Sequence, residues 1–378
     1  MKTTVCDITG KCPGRLIAVS DIHGHGHYLK GLLEQLCFSE QDALVIVGDL
    51  IEKGGNSLET IRYVMRLKES NPHVFLTAGN VDCSRMGNFF DKSEGNGRRF
   101  LEELRWTEHV WGCGLFPEIL AELGIKTEEL DESSVTAVKE AISEKYRREL
   151  EFIWNLPTII TYGDYIFVHA GVPTDQVETL LEEDAFRFMK IDAFLEQKNV
   201  FERCVVVGHW PASLYYRDAE CMNPVFDYER HAIAIDGGCA LKKGGQLNAI
   251  VIPEPHAAMH RITWSSFDDY PAVYAKTAQE ANKGTVYIKY PNMEVELVSE
   301  TEDTAELRQK SSGILFHVPK RYLYRRGEKL YCEDYTDEEL KIQAGEALKL
   351  IRQTSAGAFV KRDGKLGWYR GELCRRNS

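Results

Sequence analysis

Six times between residues 15 and 252 a short apolar run stops at a polar turn, and the six turns draw on one small vocabulary of residues. The runs cover residues 16–19, 44–47, 74–76, 166–168, 205–207 and 233–235. The turns contain Asp21-Ile22-His23-Gly24, Gly48-Asp49, Gly79-Asn80, His169-Ala170-Gly171, Gly208-His209 and Asp236-Gly237-Gly238. Apolar runs this short, bounded by turn residues, read as strands buried on both faces. With helix-favouring stretches between several of them, the layout is α/β.

In an open α/β sheet the functional groups collect outside the carboxyl ends of the strands, so six separate turns can meet at one place. The Asp, His and Asn side chains of the set offer oxygen or imidazole nitrogen. Such donors suit divalent manganese, iron or zinc, and a carboxylate can bridge two such ions. A lone Asp-x-His in a turn is ordinarily only a solvated turn. Order and repetition carry the metal-site reading.

A chain of 378 residues is longer than the roughly 250–300 residues at which a single core stops growing, so more than one domain is expected. The first is expected over residues 1–258. Within it, residues 84–156 turn charged and helix-favouring, most clearly over 135–154, and Pro157 closes the stretch as a helical insertion. A lid and a plain packing extension are both open for it.

After Pro255 the cadence disappears and short, aromatic, charged strands take over, predicting a β-rich segment at 259–330 and a small barrel at 331–378. Residues 295–298, 313–316 and 322–323 are similar to residues 348–351, 364–369 and 372–373. The offset of roughly fifty residues suits small β-barrels.

No apolar run approaches the ~20 residues of a membrane helix, and the first ten residues hold one lysine and no apolar core of a leader, so a cytoplasmic site without membrane contact is expected. Ten cysteines without a Cys-x-x-Cys pair predict free thiols rather than structural zinc or a disulfide framework. A formal charge of −12 makes nucleic acid an unexpected partner, although a local basic patch can hide within an acidic total.

The ordered motifs Asp21-x-His23-Gly24, Gly48-Asp49-x-x-x-x-Gly54, Gly79-Asn80, His169-Ala170-Gly171 and Gly208-His209 resemble those of the phosphoprotein phosphatases, in their bacterial form, within the calcineurin-like metallophosphoesterase superfamily. Residues 235–250 resemble the closing strands of the bacterial members, and residues 345–350 with Gly367-Trp368 resemble a bacterial SH3-like barrel. The resemblance implies a four-layer α/β/β/α sandwich that hydrolyses phosphoric esters. It implies a first metal held by Asp21, His23 and Asp49, and a second held by Asp49, Asn80, His169 and His209, with Asp49 bridging. Manganese is the expected ion, with iron or zinc as alternatives. A shared hydroxide would attack phosphorus in line. The implied substrate is a phosphorylated protein or a small phosphoester, and the barrel implies a peptide or protein partner.

Two motifs depart from the family pattern. Where the family has Gly-Asp-x-x-Asp-Arg-Gly, this chain has Glu52 and Lys53; lysine keeps the charge and loses the planar fork. Where the family has Gly-Asn-His-Glu, Val81 and Asp82 follow Asn80. Valine cannot protonate a leaving group, so another group does so or the leaving group departs unaided. His25 is the candidate acid, beside His27, and Lys53 and Asp82 join Asp49 as candidate catalytic residues. The Gly-Asn-x-Asp pattern also resembles compact phosphodiesterases, whose closing Gly-His-x-His is here His209-Trp210-Pro211. A phosphodiesterase or dinucleoside-polyphosphate hydrolase is therefore the alternative enzyme, and a phosphatase-like scaffold the alternative outside catalysis. Arg187 and Arg203 are further phosphate-contact candidates without a motif to fix them.

Overall fold

In the computed structural model, which describes residues 1–283 and 285–375, the chain divides into two units. The first comprises Met1–Ala212 and Met222–Asp269, the second Ser213–Cys221 and Tyr270–Ser378.

The first unit opens with β1 (Val5–Asp7), β2 (Leu16–Val19), α1 (Gly26–Gln35), β3 (Ala43–Val47), α2 (Ser57–Ser70) and β4 (Val74–Thr77). Four helices follow: α3 (Asn80–Phe90), α4 (Asn96–Trp111), α5 (Leu115–Leu123) and α6 (Val135–Trp154). The unit closes with β5 (Ile159–Tyr162), β6 (Tyr165–Val168), α7 (Phe186–Met189), β7 (Cys204–Val207), β8 (Val225–Asp227), β9 (Ala232–Ala234), β10 (Leu247–Ile252) and β11 (Thr263–Phe267).

These strands form two mixed sheets, one ordered β1-β5-β6-β7-β9-β8 and the other β11-β10-β2-β3-β4. β2, β3 and β4 run parallel, as do β6, β7 and β9. Successive side chains in a strand point to opposite faces, and that parity sorts the core. Leu16, Ala18, Val45 and Ile250 of one sheet pack with Ile160, Phe167, Val206 and Ile233 of the other. Their neighbours Ile17, Val19, Leu44 and Ile46 pack instead with Leu29, Leu32, Ile61 and Val64 of α1 and α2. A strand that buries both faces has no room for polar residues, so the polar chemistry moves to its ends.

The helical insertion is α3 to α6. On α6 the buried residues Val135, Val138, Ile142, Tyr146, Leu150 and Ile153 recur every three or four positions, the stripe of a helix packed on one side. Phe89 stacks on Phe116 at 5.0 Å, and Lys139 lies 4.8 Å from the Phe100 ring while donating to the Asn88 carbonyl at 3.0 Å. The helical run begins at Asn80 itself, so its first turn contributes directly to the polar end of the sheets.

The second unit contains β12 (Ala272–Ala275), β13 (Tyr287–Ile288), β14 (Glu294–Glu300), β15 (Thr304–Gln309), β16 (Leu315–Pro319), β17 (Leu323–Arg326) and β18 (Lys329–Cys332). It ends with β19 (Tyr335–Thr336), β20 (Ala347–Thr354), β21 (Gly357–Arg362), β22 (Lys365–Tyr369) and β23 (Leu373–Cys374). Two antiparallel five-stranded sheets result, β16-β15-β14-β18-β17 and β22-β21-β20-β12-β23, with β13 and β19 paired separately. The two similar stretches fall on matching strands: β14 with β20, β16 with β22, and the start of β17 with β23. The expected boundary at residue 330 does not separate the sheets, because β12 at 272–275 pairs with β20 at 347–354. Among the described residues no helix is long and apolar enough to cross a membrane, and none of the ten cysteines is in a disulfide.

Candidate metal centre

Each of the six sequence turns leaves the carboxyl end of a strand. Asp21 and His23 follow β2, Asp49 follows β3, Asn80 follows β4, His169 follows β6, His209 follows β7 and Asp236 follows β9. Ligand atoms of Asp21, Asp49 and His169 all lie within 4.8 Å of one another, and all three residues are buried. His23 Nε2 lies 3.6 Å from Asp49 Oδ2 and 3.9 Å from Asp21 Oδ1; His169 Nε2 lies 3.4 Å from Asp49 Oδ1. The Asn80 side-chain oxygen lies 3.1 Å from His169 Nε2, and the same end of the amide is 2.9 Å from His209 Nδ1. Asp49 therefore touches both His23 and His169, while Asn80 joins His169 to His209.

The backbone bends sharply to bring these groups in. Asp21, His23, Asp49 and His209 all have positive φ, between 46° and 66°. Such conformations cost of order 1–3 kcal/mol each and collect at functional sites. Glycine is required beside them: a Cβ on Gly79 would lie 2.2 Å from Asp49 Oδ1, and one on Gly208 2.1 Å from Asp21 Oδ2.

Each imidazole has one nitrogen tied to an oxygen outside the cluster. His23 Nδ1 meets the Ile51 carbonyl at 3.0 Å, His169 Nδ1 meets the Val47 carbonyl at 3.0 Å, and His209 Nε2 meets Asp192 Oδ1 at 3.0 Å. A proton on those nitrogens leaves His23 Nε2, His169 Nε2 and His209 Nδ1 with lone pairs turned inward. Metal-ligating histidines are held in this way.

The donor set fits divalent cations. Asp21, Asp49, Asp82 and Asp236 are each at most 1% exposed, and Asp236 Oδ2 has no hydrogen-bond partner. Buried carboxylates crowded together resist ionising: burial, then the charge of Asp236, raises the pKa of Asp21, and burial pushes Asp236 up to about 6. Burial works against charge on His169 as well, yet the Asp49 and Asp21 carboxylates hold it up at about 9. Burial carries His209 down to about 4. One end of the Asn80 amide meets both inward ring nitrogens, and with its nitrogen turned to that end it donates to His169 Nε2 and His209 Nδ1.

The remaining sequence candidates are spread more widely. Lys53 is in the cluster, its Nζ 3.0 Å from His23 Nε2 and 3.8 Å from Asp49 Oδ2, so its ammonium supplies positive charge there. Asp82 accepts backbone N–H bonds from Leu50 at 3.0 Å, Ile51 at 3.3 Å and Gly79 at 3.1 Å. Its carboxylate pins the second motif to the start of α3, as an N3 acid does. His25 turns Nδ1 back to the His23 carbonyl at 3.0 Å, and His27 lies 3.5 Å from Asp269. Arg203 donates to the Gly163 and Tyr165 carbonyls at the starting ends of the strands, and Arg187 pairs with Glu183. A cavity of about 430 Å³ lined by Asp164, Glu202, Cys204 and His231 shares that far end with Arg203 and takes no part in the cluster.

Three residues that no motif signals complete the surroundings. Lys190 Nζ lies 3.2 Å from His209 Nε2 and 2.6 Å from Asp192, so each half of the cluster has a lysine beside one of its histidines. Arg85 lies 3.5 Å from Glu52 and also pairs with Glu103. Arg85 is one helical turn beyond Val81, on the same side of α3, and it fills the partner position beside Glu52.

A family model described as calcineurin-like phosphoesterase matches residues 14–237. Among curated proteins, a symmetrical bis(5'-nucleosyl)-tetraphosphatase from Pseudomonas syringae pv. syringae (strain B728a) is 50% identical over 66 residues, 17% of this chain and 22% of that protein. Its counterpart from Proteus mirabilis (strain HI4320) is 36% identical over 87 residues, 23% of this chain and 31% of that one. The matched segments thus span less than a third of these relatives. Among solved structures, a protein serine/threonine phosphatase from Saccharomyces cerevisiae has a TM-score of 0.43 and 12% identity, covering 71% of this chain and 84% of that one. A metallophosphoesterase from Sphaerobacter thermophilus has a TM-score of 0.34 and 16% identity, covering 67% and 88%.

Proposed function

This chain belongs to the calcineurin-like phosphoesterase family, and from that premise we propose that it is a hydrolase of phosphoanhydrides, of the nucleoside polyphosphate type, rather than of alkyl phosphomonoesters. In this reading Asp21, His23 and Asp49 hold one divalent ion and Asp49, Asn80, His169 and His209 a second. An all oxygen and nitrogen donor set makes manganese the first choice, with iron or zinc behind it. The chemistry such a pair supplies when bound is polarisation of a phosphoryl oxygen and a lowered pKa for a shared water.

The protein's own part is orientation and charge. The carbonyls of Ile51 and Val47 and the Asp192 carboxylate fix the three imidazoles. Asp82 ties the Asp49 loop to the Asn80 helix. Lys53 and Lys190, one beside each half, provide point charges for a phosphate chain.

Val81 carries the substrate reading. An alkoxide leaving group needs a proton, and a general acid is worth about 10²–10⁴-fold; a departing phosphate or nucleotide needs none. Val81 holds the position of the family's acid, and Glu52, which would orient that acid, is engaged by Arg85. The partial relatives named bis(5'-nucleosyl)-tetraphosphatase agree with this choice. A phosphomonoesterase of serine/threonine phosphatase type is the second reading, favoured by His209-Trp210 in place of a Gly-His-x-His closure.

The test is the dependence of rate on leaving group with manganese present. A dinucleoside tetraphosphate should exceed a phosphoserine peptide in kcat/KM by about 10² or more, with an aryl phosphate between them. A phosphoserine peptide turned over as fast as the anhydride would overturn the proposal in favour of the second reading.

A further inference from the structure

The helical insertion grips the loop that carries Lys53. Past Asp49, the loop between β3 and α2 holds three more non-glycine residues at positive φ, Glu52 at 69°, Lys53 at 65° and Asn56 at 80°. Such conformations persist only where the surroundings over-determine them, and α5 meets this loop on both flanks of Lys53. Ahead of Lys53, the Glu52 carboxylate accepts the Leu115 N–H at 3.1 Å, where α5 begins. Beyond it, the Glu118 carboxylate of α5 accepts the N–H groups of Asn56 at 3.0 Å, Ser57 at 2.9 Å and Leu58 at 2.8 Å.

The first N–H groups of a helix have no partner within it. Asn56 precedes α2 and makes no side-chain capping bond, so Glu118 caps α2 from another helix. Glu118 is half-buried and forms no ion pair among the described residues; its charge faces the start of α2, where the helix dipole favours it. One turn further along both helices Arg62 pairs with Glu122 at 3.0 Å, a second tie between α2 and α5 that lies outside the loop. Lys53 stands between the two grips with its side chain only 19% exposed, Nζ 3.0 Å from His23 Nε2 and 3.8 Å from Asp49 Oδ2. A lysine is a point charge on a flexible stem, so its aim depends on the backbone beneath it.

We propose that Glu118 is a positioning residue for phosphate binding: by holding residues 56–58 it fixes the loop that aims Lys53 at the metal cluster. Glu118 acts this way only if Lys53 contacts phosphate, as in the reading above; which phosphoric ester is cleaved makes no difference. The insertion then serves the site as a brace, a part distinct from both a lid and a plain packing extension.

The test is binding of inorganic phosphate to the full chain by equilibrium dialysis at saturating manganese, with turnover of a dinucleoside tetraphosphate measured alongside. A hydrogen bond to a charged group is worth about tenfold or more in affinity, and Lys53→Met should weaken phosphate binding by about that factor. Glu118→Ala should weaken it comparably and raise KM with kcat held within about threefold, as loss of a contact made equally in ground and transition state does. Glu118→Gln keeps one acceptor oxygen and should recover part of the loss. In the Lys53→Met background Glu118→Ala should weaken phosphate no further, because it acts through the ammonium. Glu122→Ala cuts the other tie between the same helices and should bind phosphate as the parent does. If Glu118→Ala does not fold, Glu118→Gln carries the same comparison in both backgrounds. Phosphate affinity unmoved by the Glu118 substitutions, equal losses with Lys53 present and absent, or a Glu122→Ala loss matching that of Glu118→Ala would overturn the proposal. A chain that shows the expected phosphate pattern and yet turns over no tetraphosphate would sink the phosphoanhydride reading and leave the role of Glu118 standing.

Discussion

The strands of the two units use their side chains in opposite ways. In the first unit β2 and β3 are buried at every position. In the second, β15 and β16 alternate between buried and exposed positions. A strand buried on both faces devotes its whole length to the core, so Asp21, Asp49, His169 and His209 stand in the loops at its end. A strand with one wet face can display Tyr324, Arg326 and Tyr331 along its own length. The difference teaches where substitutions will be felt: at strand ends as chemistry in the first unit, along strand faces as stability in the second.

Asp49→Asn should separate chemistry from fold most strongly. It removes charge shared by both halves of the cluster, and loss of ~4 kcal/mol of transition-state stabilisation corresponds to roughly 10³-fold in kcat. Metal content measured by elemental analysis should fall with it, and the melting temperature without metal should fall somewhat as well: burial opposes charge on Asp49, but His169, His23 and Lys53 hold its carboxyl well below the usual range, so the ionised group stabilises the fold at neutral pH. Retention of parental turnover would leave the scaffold reading in the lead.

Leu307→Ala probes the opposite case. Leu307 is fully buried in the core of the β14–β18 sheet, and truncation there costs about 2–5 kcal/mol. Denaturant unfolding followed by unit-specific labels should show that loss, with kcat on a small ester unchanged within about twofold. A collapse of turnover would mean that the division of labour between the units does not hold.

Asp192→Ala sharpens the comparison within the first unit. Freed from its carboxylate, the His209 ring loses the contact that turns Nδ1 inward, and metal affinity by competition titration should weaken about 10–100-fold. Asp192→Asn should restore part of it by keeping an oxygen near Nε2.

The smallest effect is one of pH. Burial lowers the pKa of Lys139 to about 8, from an unfolded value of 10.5. Charged Lys139 is therefore a cost to the fold below pH 8, and stability should rise as pH climbs from there toward 10.5, where the unfolded chain holds the extra proton. The difference in urea midpoint between Lys139→Met and the parent should shrink across that window. A constant difference would show that burial does not penalise the ammonium.

The sequence carries the first unit's plan well because its signals are local. Apolar runs mark the strands, and the charged, helix-favouring run at 135–154, closed by Pro157, marks the α6 helix. Side-chain direction is less legible. Asp82 sits in a catalytic motif by spacing, yet it accepts three backbone amides, since an acid at the third position of a helix folds back on its start. Lys190, Asp192 and Arg85 have no motif; they matter through distances to His209 and Glu52 that only the folded chain sets. In the second unit the pairing of β12 with β20 spans the expected boundary, and no local pattern announces a partner so far along the chain.

That pairing has a consequence for the order of events during synthesis. The β14–β18 sheet can zip from contiguous hairpins as it emerges, whereas β12 must wait for β20 to leave the ribosome before it gains a neighbour. Until then residues 272–275 present an unsatisfied edge to the crowded cell, so a ribosome stalled before residue 347 would release a chain prone to stick to its siblings.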